Sequence, residues 1–285
     1  MNGIEVNNLN VDLKGFALKN INITIPKGTV MGLIGRNGAG KSTLIKTISD
    51  GYKKESGEIR INGITCNEDR AAYFTMLSTV FDELNLNDMT KIKLLIKNAK
   101  KAYPIFDEEY FRERISFFRI SEKQRLDKLS FGMKKKVQII FALCLKPQVL
   151  ILDEPTTGID PSDREEILDM LMDFMQDENH TIMLSTHITS DLDKIADYIT
   201  LIDNGEIVFS ESKIDLQDKY RLIRCNEEQI NESDREKLIG IKKNSFGIEA
   251  LTKDKEIASK PGISSAIPTV EEIMVHFTER EEKHI

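Results

Sequence analysis

Residues 30–48 read VMGLIGRNGAGKSTLIKTI, and this stretch decides the fold. Its first five residues form a nearly continuous apolar run, as expected of a strand buried on both faces. Residues 35–42 match the pattern G-x-x-x-x-G-K-[ST], and residues with helical character follow. The order strand, glycine-rich loop, helix predicts a loop that binds phosphate groups.

Each part of this loop has a physical role. Glycines let successive backbone N–H groups point inward at an anion, and the start of the following helix adds a positive dipole end. Lys41 is predicted to reach the β- and γ-phosphates, and the Ser42 hydroxyl is predicted to be a ligand of Mg²⁺. A chance match is expected in roughly one per cent of chains of this length. The predicted nucleotide-binding residues are Gly35, Arg36, Asn37, Gly38, Ala39, Gly40, Lys41, Ser42 and Thr43.

A second apolar run, residues 149–152, ends in two carboxylates, Asp153 and Glu154. Adjacent residues on an extended chain face opposite ways, so one acid can hold a metal while the next faces the substrate. We predict that Asp153 binds Mg²⁺ and that Glu154 orients and deprotonates the attacking water. The alternative is a structural acid pair that caps the turn before Pro155.

Four motifs occur in a fixed order along the chain: GRNGAGKST, LSFGM, VLILDEPTTGID and LSTH. With these motifs, residues 1–210 resemble the ATP-binding subunits of ABC transporters. The resemblance implies that Ser130 and Gly132 contact the γ-phosphate of ATP bound to an opposite subunit, and that residues 158–160 link the two sites. It also implies that His187 holds the γ-phosphate. The alternative for this histidine is a satisfied side chain at a strand end.

The chain departs from the family pattern in three places. It has no glutamine between Lys41 and Gln124, where the family usually has one near Mg²⁺ and the membrane partner, and Asp82 is the hypothesised substitute. The position of the usual adenine-stacking aromatic holds Leu13, with Phe16 three residues on, for which core packing is the alternative role. Phe131 replaces the usual signature glycine.

Strands that alternate with helices predict a mostly parallel α/β core. With the resemblance, the expected fold is a P-loop NTPase core that carries an antiparallel β-subdomain. Residues 1–210 form the expected ATP-binding domain, with a helical signature subdomain at about 82–146. Residues 211–285 form the expected small α+β appendage, with a final helix from Val270 to Glu279. The run Lys134–Lys136 is interpreted as a solvated helix face, with membrane headgroups or a permease as the alternative contact.

The composition and charge of the chain disfavour several classes of protein. The 285 residues include 47 acids and 40 bases, a net charge of −7, which disfavours nucleic acid as a partner. No apolar stretch approaches the roughly 20 residues of a spanning helix, the first residues do not resemble a signal peptide, and three scattered cysteines fit a reducing compartment.

These observations predict an ATPase that uses ATP and Mg²⁺ to energise a separate transmembrane permease. We expect an exporter, with antimicrobial or amphipathic peptides as the suggested cargo, located at the cytoplasmic face of the membrane. A single set of motifs predicts a homodimer, or a heterodimer with a second ATP-binding subunit. The alternatives are a nucleotide-binding regulator with low turnover and a soluble ABC ATPase not engaged in transport.

Overall fold

A computed structural model describes residues 2–83, 89–245 and 247–278. The strands in these ranges are β1 (Asn2–Leu13), β2 (Phe16–Pro26), β3 (Val30–Ile34), β4 (Ser56–Ile61), β5 (Ile64–Thr65), β6 (Leu77–Val80), β7 (Val149–Asp153), β8 (Thr181–Ser185), β9 (Tyr198–Asp203), β10 (Glu206–Ser212), β11 (Arg221–Cys225), β12 (Leu238–Asn244), β13 (Gly247–Thr252) and β14 (Ser264–Ala266). The α-helices are α1 (Lys41–Ile48), α2 (Arg70–Met76), α3 (Ile92–Ala102), α4 (Glu108–Phe117), α5 (Phe131–Cys144), α6 (Pro161–Phe174), α7 (Thr189–Ile195), α8 (Lys213–Lys219), α9 (Glu232–Arg235), α10 (Lys255–Ala258) and α11 (Val270–Thr278).

A six-stranded sheet of order β10-β9-β3-β8-β7-β6 lies at the centre. Its strands are parallel except β10, which forms an antiparallel hairpin with β9. Every residue of β3, β7 and β8 is buried, which explains the run of apolar residues at the centre of each strand. Ser185 at the end of β8 pairs with Leu33 of β3 and with Asp153 of β7. The carboxyl ends of these three strands therefore meet at one edge of the sheet.

The N-terminal part of the chain forms a second, antiparallel sheet of order β2-β1-β4-β5. Its apolar side chains share one core with α1, including Leu44 and Ile45 of that helix. The predicted α/β fold class, a P-loop NTPase core with an antiparallel β-subdomain, is confirmed.

Between β6 and β7 the chain is helical, with α3, α4 and α5. Helix α5 begins at Phe131, three residues before the lysine run, because Ser130 caps it. The Ser130 hydroxyl accepts a hydrogen bond of 3.2 Å from the Met133 amide. Phe111 and Ile115 of α4 pack with α5 in the largest core cluster of the described chain.

The interpretation of Lys134–Lys136 as a solvated helix face is wrong for two of the three residues, since Lys135 and Lys136 are buried. The Lys135 ammonium donates to the Asp82 carbonyl oxygen at 2.8 Å and to its carboxylate at 3.0 Å. Lys136 pairs with Asp163 at 2.7 Å and with Glu166. Both lysines lie on the inner face of α5, where neighbouring carboxylates compensate their burial.

The C-terminal segment forms a third, antiparallel sheet of order β12-β13-β11-β14. Helix α11 carries buried Val270 and Ile273 into the same core cluster that contains Leu192 and Ile195 of α7. Strand β10 runs to Ser212, so the proposed boundary at residue 210 falls inside a strand. The final helix was predicted to reach Glu279, which lies outside the described residues. In the described ranges, no helix combines the length and apolar character that crossing a bilayer requires.

Candidate functional site

The phosphate loop lies between β3 and α1 and depends on glycine conformations. Gly38 and Gly40 have φ angles of 82° and 116°, a region that side chains with a Cβ rarely adopt. The loop curls around the Lys41 ammonium, which donates to the Gly35 carbonyl oxygen at 2.8 Å and to that of Arg36 at 3.4 Å. Because α1 begins at Lys41, its free amide groups open toward the same loop.

The Lys41 side chain is only 7% exposed. Burial lowers the pKa of its ammonium group below the ordinary value, and the nearby carboxylates of Glu154 and Asp153 partly oppose that shift. A buried cation in a glycine loop, with two acids beside it, matches the environment that a polyphosphate with its metal ion would enter.

Glu154 follows β7 and contacts two of the other predicted residues. Its Oε1 lies 3.9 Å from the Lys41 Nζ, and its Oε2 lies 2.8 Å from the His187 Nδ1. The Thr157 hydroxyl donates to the same Oε2 at 2.7 Å. Because a carboxylate only accepts hydrogen bonds, Nδ1 of His187 is the donor. The structure therefore brings Lys41, Glu154 and His187 together at the carboxyl edge of the sheet.

The backbone of Glu154 is itself strained, with a φ of 49°, which is uncommon for a residue with a side chain. Hydrogen bonds from its amide to the carbonyl oxygen of Ser185 at 3.1 Å and to the Ser185 hydroxyl at 3.2 Å hold this conformation. The turn redirects the chain, so that the Glu154 carboxylate reaches toward Lys41.

Asp153 is 3% exposed and accepts a hydrogen bond of 2.5 Å from the Ser185 hydroxyl. Ser185 thus contacts both members of the acid pair, a role that was not predicted from its sequence. The available signal was its place in LSTH, immediately before the predicted histidine loop.

The residues present fit Mg²⁺ bound together with a triphosphate. Ser42, exposed in the first turn of α1, and Asp153 offer oxygen ligands, which this ion prefers. Among the described residues, no group of three or more His, Cys, Asp or Glu side chains could hold a metal ion without further ligands. Mg²⁺ usually takes one or two protein ligands and completes its shell with water and substrate phosphates. When bound, it would neutralise negative charge on the phosphates.

The signature residues lie at the start of α5, where Ser130 is the N-cap and Gly132 is buried. Ser130 is exposed at the start of α5, and within the described ranges no hydrogen bond joins Ser130 or Gly132 to the phosphate loop. A Cβ on Gly132 would stand 2.4 Å from a carboxylate oxygen of Asp163, so a larger residue here would displace the carboxylate that pairs with Lys136. Phe131 packs against Gly158 of the segment that follows Glu154.

The two positions that depart from the family pattern have defined surroundings. The Asp82 carboxylate binds Lys135, as described above, and its role toward Mg²⁺ stays a hypothesis. Phe16 lies against the phosphate loop, with its Cζ 2.9 Å from where a Cβ on Gly40 would stand. Phe16 and Leu13 are both partly buried against the core of the antiparallel sheet. Phe16 therefore packs against this core, and its role in adenine stacking stays a prediction.

A further polar network, which the sequence did not predict, lies behind the site. The Asp191 carboxylate of α7 is completely buried and accepts a hydrogen bond of 2.6 Å from the Thr156 hydroxyl. It also pairs with Arg164 of α6. Because these residues are 27 and 35 positions apart from Asp191, no local spacing signals the network.

Comparisons with known proteins agree with this geometry. A family model described as "ABC transporter" matches residues 18–157. The ATP-binding protein EcfA2 of the energy-coupling factor transporter of Ligilactobacillus salivarius is 33% identical, over 69% of this chain and 72% of that protein. The lantibiotic transport ATP-binding protein SrtF of Streptococcus pyogenes is 32% identical, over 68% of this chain and 83% of that protein.

Among solved structures, an ATP-binding subunit of an ABC transporter has a TM-score of 0.68 and 28% identity, and covers 75% of this chain and 91% of that one. The fold and site define a P-loop ATPase. The chain belongs to the ATP-binding proteins of ABC transporters, ATPases whose activity is coupled to transport.

Proposed function

We propose that this chain energises a separate membrane permease as the ATPase subunit of an exporter. The observation that carries the ATPase role is the contact of Glu154 with both Lys41 and His187 at 3.9 and 2.8 Å. In ATP hydrolysis the protein mainly positions groups and stabilises charge, so a base held beside a phosphate-binding cation is the arrangement required.

Glu154 orients the attacking water and accepts its proton. Lys41 and the amides of residues 35–43 bind the β- and γ-phosphates, and His187 holds the γ-phosphate from the other side. Ser42 and Asp153 hold Mg²⁺. The anchoring of Glu154 by Thr157 and by Ser185 supports this role, because a positioned general base contributes about 10²–10⁴-fold in rate.

The active unit is a dimer, formed with a second copy or with a related subunit. Two features support this proposal: Ser130 is exposed at the start of α5, and it makes no hydrogen bond to the phosphate loop within the described chain. In the dimer, Ser130 and Gly132 contact the γ-phosphate bound by the partner. Residues 1–210 serve as the ATP-binding domain and residues 211–285 as a small C-terminal domain.

Export of peptides is the finer part of the proposal. It is supported by the likeness to SrtF, whose name describes lantibiotic transport. A permease supplies the transmembrane path, and the chain works at the cytoplasmic face of the membrane through that partner.

The test is steady-state phosphate release by wild type and Glu154→Gln, measured with the chain alone and with a candidate permease from the same genome. We expect the variant to lose about 10²–10⁴-fold in rate and to keep ATP binding. Glu178→Gln, at an exposed acid in a loop, is the matched control and should behave as wild type. Equal rates for wild type and Glu154→Gln would contradict the catalytic role, and equal rates with and without any permease would contradict the coupling.

A further inference from the structure

Helix α3 carries a basic stripe, defined as Lys93, Lys97, Lys100 and Lys101, which are all exposed. Spacings of four, seven and eight residues place these side chains on one face of a helix. The opposite face packs Ile92, Ile96 and Ala99 into the main core cluster, so α3 is fixed to the protein while its basic stripe points outward. At 1.5 Å per residue, the stripe is about 12 Å long.

Most of this positive charge is uncompensated. Lys100 pairs with Glu108 at 2.6 Å. For Lys93, Lys97 and Lys101, no ion pair is formed with any residue in ranges 2–83, 89–245 and 247–278. Leu94, which borders the stripe, is 48% exposed. A local positive patch with an apolar side chain at its edge thus stands out on a chain whose net charge is −7.

We propose that the basic stripe of α3 binds the anionic headgroups of a lipid bilayer. The negative potential of a membrane acts only within about a Debye length, roughly 8–10 Å. Several lysines are therefore attracted at the same time only if they lie on a common face. The stripe meets this condition. Each lysine near such a surface strengthens binding by about fivefold, which corresponds to about 1 kcal/mol of electrostatic attraction.

A lipid surface fits better than nucleic acid. The overall negative charge repels a long polyanion, whereas a flat surface can meet one face of α3 alone. The exposed Leu94 can enter the interfacial region of a bilayer, while a phosphate backbone offers no apolar surface there. The contact is additional to the permease and does not depend on catalysis by Glu154.

The experiment is flotation of the full chain with phosphatidylcholine vesicles, with or without about one-third phosphatidylglycerol. Ionic strength is set at about 0.01 M and 0.15 M, where the Debye length is about 30 and 8 Å. The test variant is Lys93→Gln/Lys97→Gln/Lys101→Gln. The control, Lys53→Gln/Lys253→Gln/Lys255→Gln, removes the same charge from exposed lysines outside α3.

We expect wild type and the control to bind anionic vesicles and to weaken at the higher ionic strength. The α3 variant should bind at least tenfold more weakly, with an unchanged thermal unfolding midpoint and unchanged ATP binding. The proposal is overturned if the two triple variants bind alike, if phosphatidylcholine alone binds equally well, or if duplex DNA binds more tightly than anionic vesicles. Glu154→Gln should float as wild type does, so failure of the catalytic proposal can be told apart from failure of this one.

Discussion

Ser185 shows how one small side chain organises the acid pair. It is fully buried at the end of β8, donates to Asp153 at 2.5 Å and accepts from the Glu154 amide at 3.2 Å. The donated bond fixes the orientation of the carboxylate proposed to hold Mg²⁺. The accepted bond helps to hold the strained turn that aims Glu154.

Ser185→Ala tests this role. Loss of the hydroxyl frees the Asp153 carboxylate and leaves a buried polar group without its partner. Removing a residue that orients a metal ligand typically costs about 10–100-fold in metal affinity or activity. We expect the Mg²⁺ concentration for half-maximal phosphate release to rise by about that factor. Ser264→Ala, at an exposed serine of β14, is the control, and an identical Mg²⁺ dependence for both variants would refute the role.

At the scale of elements, α6 and α7 are tied together behind the site. Asp191 on α7 binds Arg164 on α6 and Thr156 in the segment after Glu154. Helix α7 begins two residues after His187, so the network connects the loop of that histidine with the segment that follows the acid pair. We infer that this buried carboxylate fixes the position of the His187 loop relative to the segment that follows Glu154.

Asp191→Asn keeps the size of the side chain and removes its charge. Arg164, whose side chain is 23% exposed, would lose its ion-pair partner and keep its hydrogen bond to the Ser190 hydroxyl, so the free energy of unfolding should fall by about 2–3 kcal/mol, somewhat less than for a fully buried pair. We also expect slower phosphate release well below the unfolding temperature. Asp193→Asn, an exposed acid on the same helix, should leave both quantities unchanged. A loss of stability at wild-type turnover would show that the network has no positioning role.

At the scale of the whole molecule, the C-terminal segment and the ATPase core share one hydrophobic cluster. Tyr220, Val270 and Ile273 belong to the same core cluster as Leu192 and Ile195 of α7. Because α7 follows the His187 loop, packing of the C-terminal segment near α7 stabilises the helix from which this loop extends. Cooperative unfolding of both parts is the expected consequence of a continuous core.

Ile273→Ala probes that continuity. The residue is 1% exposed, so truncation should cost about 2–4 kcal/mol of unfolding free energy in a single urea transition. Ile214→Ala is the control, because Ile214 is 70% exposed and should change stability by less than about 0.5 kcal/mol. Two separate transitions, with only one shifted, would mean that the C-terminal segment unfolds independently.

The strands that could be predicted are those whose residue types alone signal burial. Continuous apolar runs predicted β3 and β7, since a strand buried on both faces needs no polar alternation. Helix α2 and strand β6 gave no comparable signal, because each is short and their burial depends on neighbours distant in sequence.

By itself, the sequence determined the phosphate loop, the order of the four motifs and the α/β class, because these depend on residue types at short fixed spacings. Only the tertiary structure decided that Lys135 and Lys136 are buried and that Asp191 and Ser185 support the site. The physical reason is that the carboxylates facing these lysines lie 27 to 53 residues away in the chain. A charge is stable in the interior only if folding brings its partner to it, and such pairing leaves no trace in local spacing.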